Sequence, residues 1–399
     1  MPLATPVEPA EFPWYDYRGF TFSLGLQFDG HLINSGHSGS AFDPVKGKPD
    51  VAGGMADQAR IAYAKQAAVL AAAGLTLADV TRVVENVAVD GLAHYAEAEQ
   101  VRAEVFGAHR PVVMTVVVDR LVRRKAMIEV EVHASPGGGT AFGADGTARW
   151  DRHLVREAHG GTLYLPTLLP VDADGAIVAA GDLAGQYRYC LERAADLLAP
   201  AGLSLADVVS TVDYTTAASR RDYPKIAAVR RELLGPVYPT AAGILMSRLH
   251  EPGVLVALDV VASRAPLEPV NPGWSRYDTL TYNPGVRAGE MLYLSGFAAL
   301  DMSTQRAVHP GDLRAQAEVT YGALLQTLAA AGLGPQHLLS TVEYVTPEGL
   351  SAYRDVADVR RELLAEPYPT STGIVCGGLL RPEFMLEVVA TALVPDGAG

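Results

Sequence analysis

Apolar and polar positions alternate between two rhythms along this chain. Short runs rich in β-branched residues, VVENVAV, VVSTVDYT and LLSTVEYV, read as strands. Before each run lies a longer stretch with apolar residues every three or four positions, one face of a helix. That stripe is Tyr187, Leu191, Ala194 and Leu198 in one stretch and Ala317, Tyr321, Leu324 and Leu328 in another. In the earliest stretch it holds Ala59, Tyr63 and Leu70 but also Gln66, which is expected at the edge of the buried face. Each helix closes on the glycine of an AGL triplet. A second helix is predicted over Val229–Leu234 and again over Val359–Leu364, with HYAEAEQVRAEVFG as the earliest counterpart. Two further strands then follow: VVMTVVV with MIEVEVHA, TAAGILM with VLVALDVVA, and STGIVCG with MLEVVATA.

The pattern is one unit written three times. The AGL segments begin at Ala73, Ala201 and Ala331, 128 and 130 residues apart. Pro111, Pro239 and Pro369, each ahead of a β-rich run, repeat the same two offsets. Each unit is predicted as a leading hairpin, a helix, a strand, a second helix and a closing strand pair, an α+β domain with one mixed sheet and two helices on one face. The joins PGGGTAFGADGTARW and RAPLEPVNPGWSRY are rich in Gly and Pro, as linkers are. Cutting within 137–150 and 264–276 gives copies at residues 1–136, 150–264 and 276–396.

Composition narrows the partners. Hydrophobic residues make up 49% of the chain, which suits compact domains, and the net charge of −13 disfavours nucleic acid and anionic membrane surfaces. The start of the chain lacks the basic and apolar regions of a signal peptide, and no apolar run spans a bilayer, so a cytoplasmic location is expected. The two cysteines, Cys190 and Cys376, fall in different copies, which speaks against a disulfide. The ten histidines are scattered, so no metal and no other cofactor is expected.

Asn34-Ser35-Gly36-His37, AGLTLADV, Arg110-Pro111 and Ile128-Glu129-Val130-Glu131-Val132 in copy 1, with Leu294-Ser295-Gly296, Pro369-Thr370-Ser371 and Leu386-Glu387-Val388 in copy 3, form a combined pattern. It resembles that of the Rid (YjgF-like, RidA) family of imine and enamine deaminases. The resemblance implies a chorismate-mutase-like fold that assembles as a homotrimer with a small-molecule pocket at each subunit boundary. Three fused copies would imitate that trimer within one chain, as an intramolecular pseudo-trimer, and free each boundary to diverge. Whether two chains pair further stays open.

Family deaminases hold a substrate carboxylate with an arginine two residues after the Pro landmark. Here that position is Val113, Ala241 and Ser371. Other family positions survive unevenly. Copy 3 keeps Tyr282, Ser295, Gly296 and Glu387, where the resemblance implies a pocket tyrosine and a water-activating glutamate. Copy 1 has Phe22, Ser35, Gly36 and Glu129, and copy 2 has His153, Pro166, Thr167 and Ala257, so copy 2 is expected to be structural.

Glu387 is thus the candidate general acid/base, the alternative being a carboxylate on a solvated sheet face. Glu129 is a weaker candidate because Glu131 shares its face, as exposed strand residues do. Tyr282 either orients a substrate oxygen or packs as an amphipathic side chain. Ser295 with Gly296, like Ser35 with Gly36, either offers a hydroxyl and an N–H to an oxyanion or marks a tight bend. Ser371 and Thr370 could bond a neutral substrate group, and His37 could line the copy 1 pocket. Cys376 reads as a buried hydrophobe. The aromatic segment around Trp14, Tyr15 and Tyr17 is a lid or a strand packed on a neighbouring copy. Together these residues suggest a cofactor-independent tailoring enzyme of specialised metabolism. It would act on an imine, enamine or related unsaturated small molecule by hydrolysis, dehydration or cyclisation, on a substrate without the usual carboxylate. The alternatives are a non-catalytic small-molecule-binding or interaction protein and a chorismatase-like hydrolase of an enol-ether acid.

Overall fold

The computed structural model describes residues 4–143 and 152–395. Each copy contributes two helices: α1 (Met55–Ala72) and α2 (Tyr95–Phe106), α3 (Leu183–Leu198) and α4 (Ile226–Leu233), and α5 (Leu313–Ala330) and α6 (Asp355–Leu363). In copy 3 the hairpin Gly285–Ala288 and Met291–Ala298 is followed by the strands Leu338–Val345, Thr370–Val375 and Leu386–Leu393. The last strand inserts between the hairpin and Leu338–Val345, antiparallel to both, whereas Leu338–Val345 and Thr370–Val375 run parallel. Copies 1 and 2 repeat this order, giving three mixed sheets.

Both faces of each sheet are covered, which is why the inner strands read as unbroken apolar runs. All nine residues of Val80–Ala88 and all seven of Thr240–Met246 are buried. One face packs on the copy's own two helices. The other joins a shared core in which Met114 and Val116 of copy 1, Tyr214 and Ile244 of copy 2 and Tyr344 and Ile374 of copy 3 meet. The copies also lend one another strands. Gly378–Leu379 of copy 3 extends the copy 2 sheet beside Ile244, and Arg120–Leu121 of copy 1 extends the copy 3 sheet beside Ile374. Among the described residues no copy 2 strand pairs in this way with Val112–Val118 of copy 1.

Two sequence expectations change. The Gly/Pro-rich joins do not serve only as linkers. Thr140–Phe142 pairs with Val155–Glu157, and Leu267–Val270 pairs with Gly285–Ala288, while residues 144–151 lie outside the described residues. An edge strand leaves backbone N–H and C=O groups unpaired, and the adjoining segment is the nearest chain that can satisfy them. Gln66 does not lie at the edge of the helix face either. It is fully buried, its amide donates to Ser35 O and Val130 O and accepts from Asn34 Nδ2, so α1 is tied to the sheet by a satisfied polar group.

Candidate active site at the copy boundaries

The boundary of copies 2 and 3 holds the site that Glu387 faces. Glu387 lies on the last strand of copy 3, paired with Ala298, and is 7% exposed. Its carboxyl accepts the N–H of Gly243 from copy 2, and burial pushes its pKa up to about 8, because the charged form has lost its water. Gly296 interrupts the pairing of Met291–Ala298 with the last strand as an irregularity between Leu294 and Phe297. Glycine is required there by close approach: a Cβ would collide with Glu387 Oε1 and come within 2.8 Å of Ala242 Cβ. The Ser-Gly pair is therefore a notch for the glutamate.

Ser295 does not serve as the pocket hydroxyl that the sequence suggested. Its Oγ donates to Asn283 O at 2.6 Å and accepts the Ala241 N–H at 2.9 Å, which staples copy 3 to copy 2. Ser35 repeats the staple with Ser23 O and the N–H of Ser371. Both hydroxyls are fully engaged, which leaves neither for an oxyanion.

A cavity of about 330 Å³ opens over Glu387, with Tyr282 on its wall and Tyr223, Gly243 and Ala242 of copy 2 opposite. Tyr282 stays protonated, because burial raises its pKa, and its hydroxyl accepts from Arg276 Nη2 at 3.3 Å. The position of the lost family arginine is filled by Ala241, yet the cavity is not short of positive charge. Arg276, Arg230 and Arg381 all line it. Arg276 comes from the turn Ser275–Asp278, lies against the Tyr277 ring, and has a buried Nε without a partner. The expectation of a substrate without a carboxylate was drawn from the loss of the family arginine at Val113, Ala241 and Ser371, yet three other arginines line this cavity. Arg276 was missed because it sits in a join whose Gly/Pro composition suggested only a linker.

Arg230 belongs to a buried set that recurs at the repeat spacing and that periodicity alone did not single out. It pairs with Asp213, donates to Tyr187 Oη at 2.7 Å, and Tyr223 Oη donates to Asp213 at 2.7 Å. In copy 3 Arg360 pairs with Glu343, with Tyr321 and Tyr353 on the same carboxylate. In copy 1 Arg102 pairs with Glu85, with Tyr63 and Tyr95. Arg102, Arg230 and Arg360 lie 128 and 130 residues apart, so the signal was in the register of the repeat.

Ser371 and Thr370 are not part of the Glu387 cavity. The Ser371 N–H donates to Ser35 Oγ of copy 1, whereas Thr370, its neighbour on the strand, points the other way into copy 3. Ser371 Oγ accepts from Arg360 and Thr370 Oγ1 donates to Leu339 O. This second boundary gathers Gly36, Glu129 and His37. A Cβ on Gly36 would meet Glu129 Oε1 at 2.5 Å, and the Gly36 N–H donates to Thr372 Oγ1 at 3.0 Å. Ala242 stands at the equivalent place facing Gly296 and has no hydroxyl to accept. Glu129 keeps part of its side chain open, but protein surrounds the carboxyl and pushes its pKa up to about 8. Phe22 stacks on Phe20 under the aromatic segment that begins at Phe12. Glu131 does not sit on an exposed face. It is buried in a small cavity of about 110 Å³ that all three copies line, accepts from Asn86, and has its pKa pushed up to about 7 by desolvation.

At the third boundary Ala257 replaces the glutamate and Thr167 replaces the glycine. The Thr167 side chain fills the notch, accepting the Thr115 N–H at 2.7 Å. A larger cavity of about 590 Å³, lined by Tyr95, His153, Arg193 and His250, lies there without any counterpart of Glu387. Cys376 is buried, and desolvation pushes its thiol up to about 12. Among the described residues no three His, Cys, Asp or Glu side chains gather as metal ligands. None of their helices is long and apolar enough to cross a membrane.

The family model "Endoribonuclease L-PSP" matches the chain three times, over residues 20–135, 146–264 and 277–394. The RutC family protein PH0854 of Pyrococcus horikoshii is 29% identical over 103 residues, 26% of this chain and 79% of that protein. The RutC family protein YjgH of Escherichia coli is 28% identical over 118 residues, 29% of this chain and 86% of its own length. A chorismatase crystal structure superposes with a TM-score of 0.54 at 14% identity, covering 79% of this chain and 93% of that one, which is a likeness of fold.

Proposed function

We propose, for a chain that belongs to the endoribonuclease L-PSP family in each of its three copies, a cofactor-independent reaction on an imine, enamine or related unsaturated small molecule. The observation that carries this reading is the Glu387 carboxyl. It is buried, its pKa is pushed up to about 8 by desolvation, and it is set in a cavity beside Tyr282. As an acid it can protonate a substrate nitrogen, and the carboxylate so formed can take a proton from attacking water. Arg276 and Arg381 suit a carboxylate or another anionic group on the substrate, with the Arg276 Nε free to donate. The family bears the name of an endoribonuclease, but a net charge of −13 argues against an RNA substrate. In this reading the three copies imitate a trimer, with one best-equipped pocket, and the products belong to specialised metabolism.

The test follows imine decay and ammonia release with imines bearing and lacking a carboxylate. Glu387→Gln is expected to lower kcat/KM by about 100-fold or more, the range for a lost general acid/base. Arg276→Ala is expected to act on the carboxylate-bearing imines alone. Undiminished turnover by Glu387→Gln would overturn the mechanism. A second reading is favoured by the Thr167 and Ala257 pair, which removes the acid at one boundary: the large cavity there binds a small molecule without converting it. Thermal stabilisation by a ligand that is recovered unchanged, surviving in Glu387→Gln, would support that.

A further inference from the structure

Lys65 lies in the interior of α1 and is 0% exposed. Its Nζ donates to Ser38 O at 2.7 Å and to Ser40 Oγ at 3.3 Å, and it faces the Tyr15 ring at 5.3 Å. Among the described residues no carboxylate lies within ion-pairing distance of it. A buried ammonium without a counter-ion costs several kcal/mol, so such a position persists only where the amine can be neutral or is needed.

The surroundings of this amine changed together. Counting in the repeat register, His37, Ser38 and Ser40 stand where copy 3 has Phe297, Ala298 and Leu300 and where copy 2 has Leu168, Leu169 and Val171. Lys65 itself stands where copy 3 has Ala323. Three wall positions that are apolar in both other copies are thus polar only here, around the one buried lysine. Ser40 Oγ accepts from Nζ and Ser38 Oγ donates to Ser40 Oγ, so two of the three substituted side chains form a chain leading to the amine, and of the three only His37 keeps an atom, Nε2, without a partner. The cap over the amine is an irregular segment. Tyr15 Oη bonds His37 Nδ1 at 3.2 Å, and Phe12 packs edge-on against Trp14 and Tyr15.

We propose that the boundary of copies 1 and 3 is a second reactive centre, in which Lys65 Nζ captures a small apolar aldehyde or ketone as an imine beneath the Tyr15 cap. The Nζ lone pair forms a C–N bond to the carbonyl carbon, and a proton moves from nitrogen to oxygen to give the carbinolamine. Glu129 gives its proton to that hydroxyl, the C–O bond breaks, and water leaves. The iminium nitrogen returns a proton to Glu129. The sum is amine plus carbonyl to imine plus water, with no oxidant or cofactor. The charged and titratable groups facing Nζ suit this. Its pKa is lowered to about 7, first by burial and then by Arg123 with Glu129 opposing, while burial pushes Glu129 up to about 8 and lowers His37 to about 3, so that ring is neutral. Tyr15 is held protonated by its burial.

The test uses the full chain. The protein is incubated at pH 7 with butanal or benzaldehyde and cyanoborohydride, and the reduced adducts are mapped by peptide mass spectrometry. The chain has five lysines, and the other four, Lys46, Lys48, Lys125 and Lys225, are exposed. Lys65 is expected to be labelled about tenfold faster than any of these, because an ordinary exposed lysine is almost wholly protonated at that pH. Tyr15→Ala is expected to speed labelling of Lys65 and leave the other four unchanged. If Lys65 reacts no faster than the exposed lysines in both wild type and Tyr15→Ala, the proposal is overturned. Because the readout is an adduct on copy 1, it is independent of turnover at Glu387.

Discussion

Among single residues, the carboxyls that burial has moved furthest make the sharpest claims. Glu387, Glu129 and Glu131 are pushed up to about 8, about 8 and about 7, in each case chiefly by desolvation. A carboxyl whose folded pKa lies above its unfolded value of about 4.3 binds its proton more tightly in the native state. Its contribution to stability is therefore complete below that unfolded value and is lost as pH rises through the folded one. Chemical denaturation followed from pH 5 to pH 9 should show stability falling across the window from about 4.5 to about 8 on account of these three groups. Glu387→Gln should flatten that slope and remove an inflection near 8 from the pH profile of kcat/KM. A slope unaltered by the substitution would mean that Glu387 ionises as an ordinary exposed carboxyl does.

At the level of elements, the notch and the staple explain why one strand of copy 1 and one of copy 3 must end in a particular way. Gly296→Ala places a methyl group against Glu387 Oε1 and should cost about 1–3 kcal/mol, as overpacking does. In the Glu387→Ala background the same substitution should cost much less, because the colliding carboxylate is gone. The third boundary already holds that combination, Thr167 with Ala257. A double-mutant cycle read by urea denaturation measures the difference, and additivity of the two changes would show that the notch is not shaped by the glutamate. The buried arginines bind helix to sheet in a similar way. Arg360 couples α6 to Glu343 and also reaches Thr21 of copy 1 at 3.1 Å. Arg360→Met should destabilise by about 3–5 kcal/mol, since it strands a buried carboxylate. Arg361→Met, one residue on and exposed, should change stability by less than about 0.5 kcal/mol.

For the whole molecule, the cavity over Glu387 is built by two copies. Glu387 is contributed by copy 3, but Gly243, Ala242 and Tyr223 opposite it come from copy 2. Arg82 of copy 1 and Asp259 of copy 2 form a buried ion pair across another boundary. Copy 3 expressed alone, as residues 276–396, should therefore expose the apolar face that meets the shared core and either self-associate into trimers or precipitate. Light scattering of that fragment checks the point. A stable, soluble monomer would show that the copies do not need one another.

Three copies, their helices and their inner strands were legible in the amino-acid sequence, because hydrophobic periodicity and a repeat of 128 to 130 residues are local or self-referential signals. The glutamates and glycines were legible as positions within the repeat. Their partners were not. Ser371 stood at the position of the lost arginine, but only the structure shows that its N–H meets Ser35 of copy 1 rather than the Glu387 cavity. Arg276 looked like linker, and nothing in the sequence singled out Lys65. Gln66 looked peripheral and is sealed inside. Which side chain meets which, across boundaries between copies, depends on how three sheets lend edge strands and share one core, and so on contacts between residues hundreds of positions apart. Only the tertiary structure brings those residues together, and with them the burial that raises the Glu387 pKa and lowers that of Lys65.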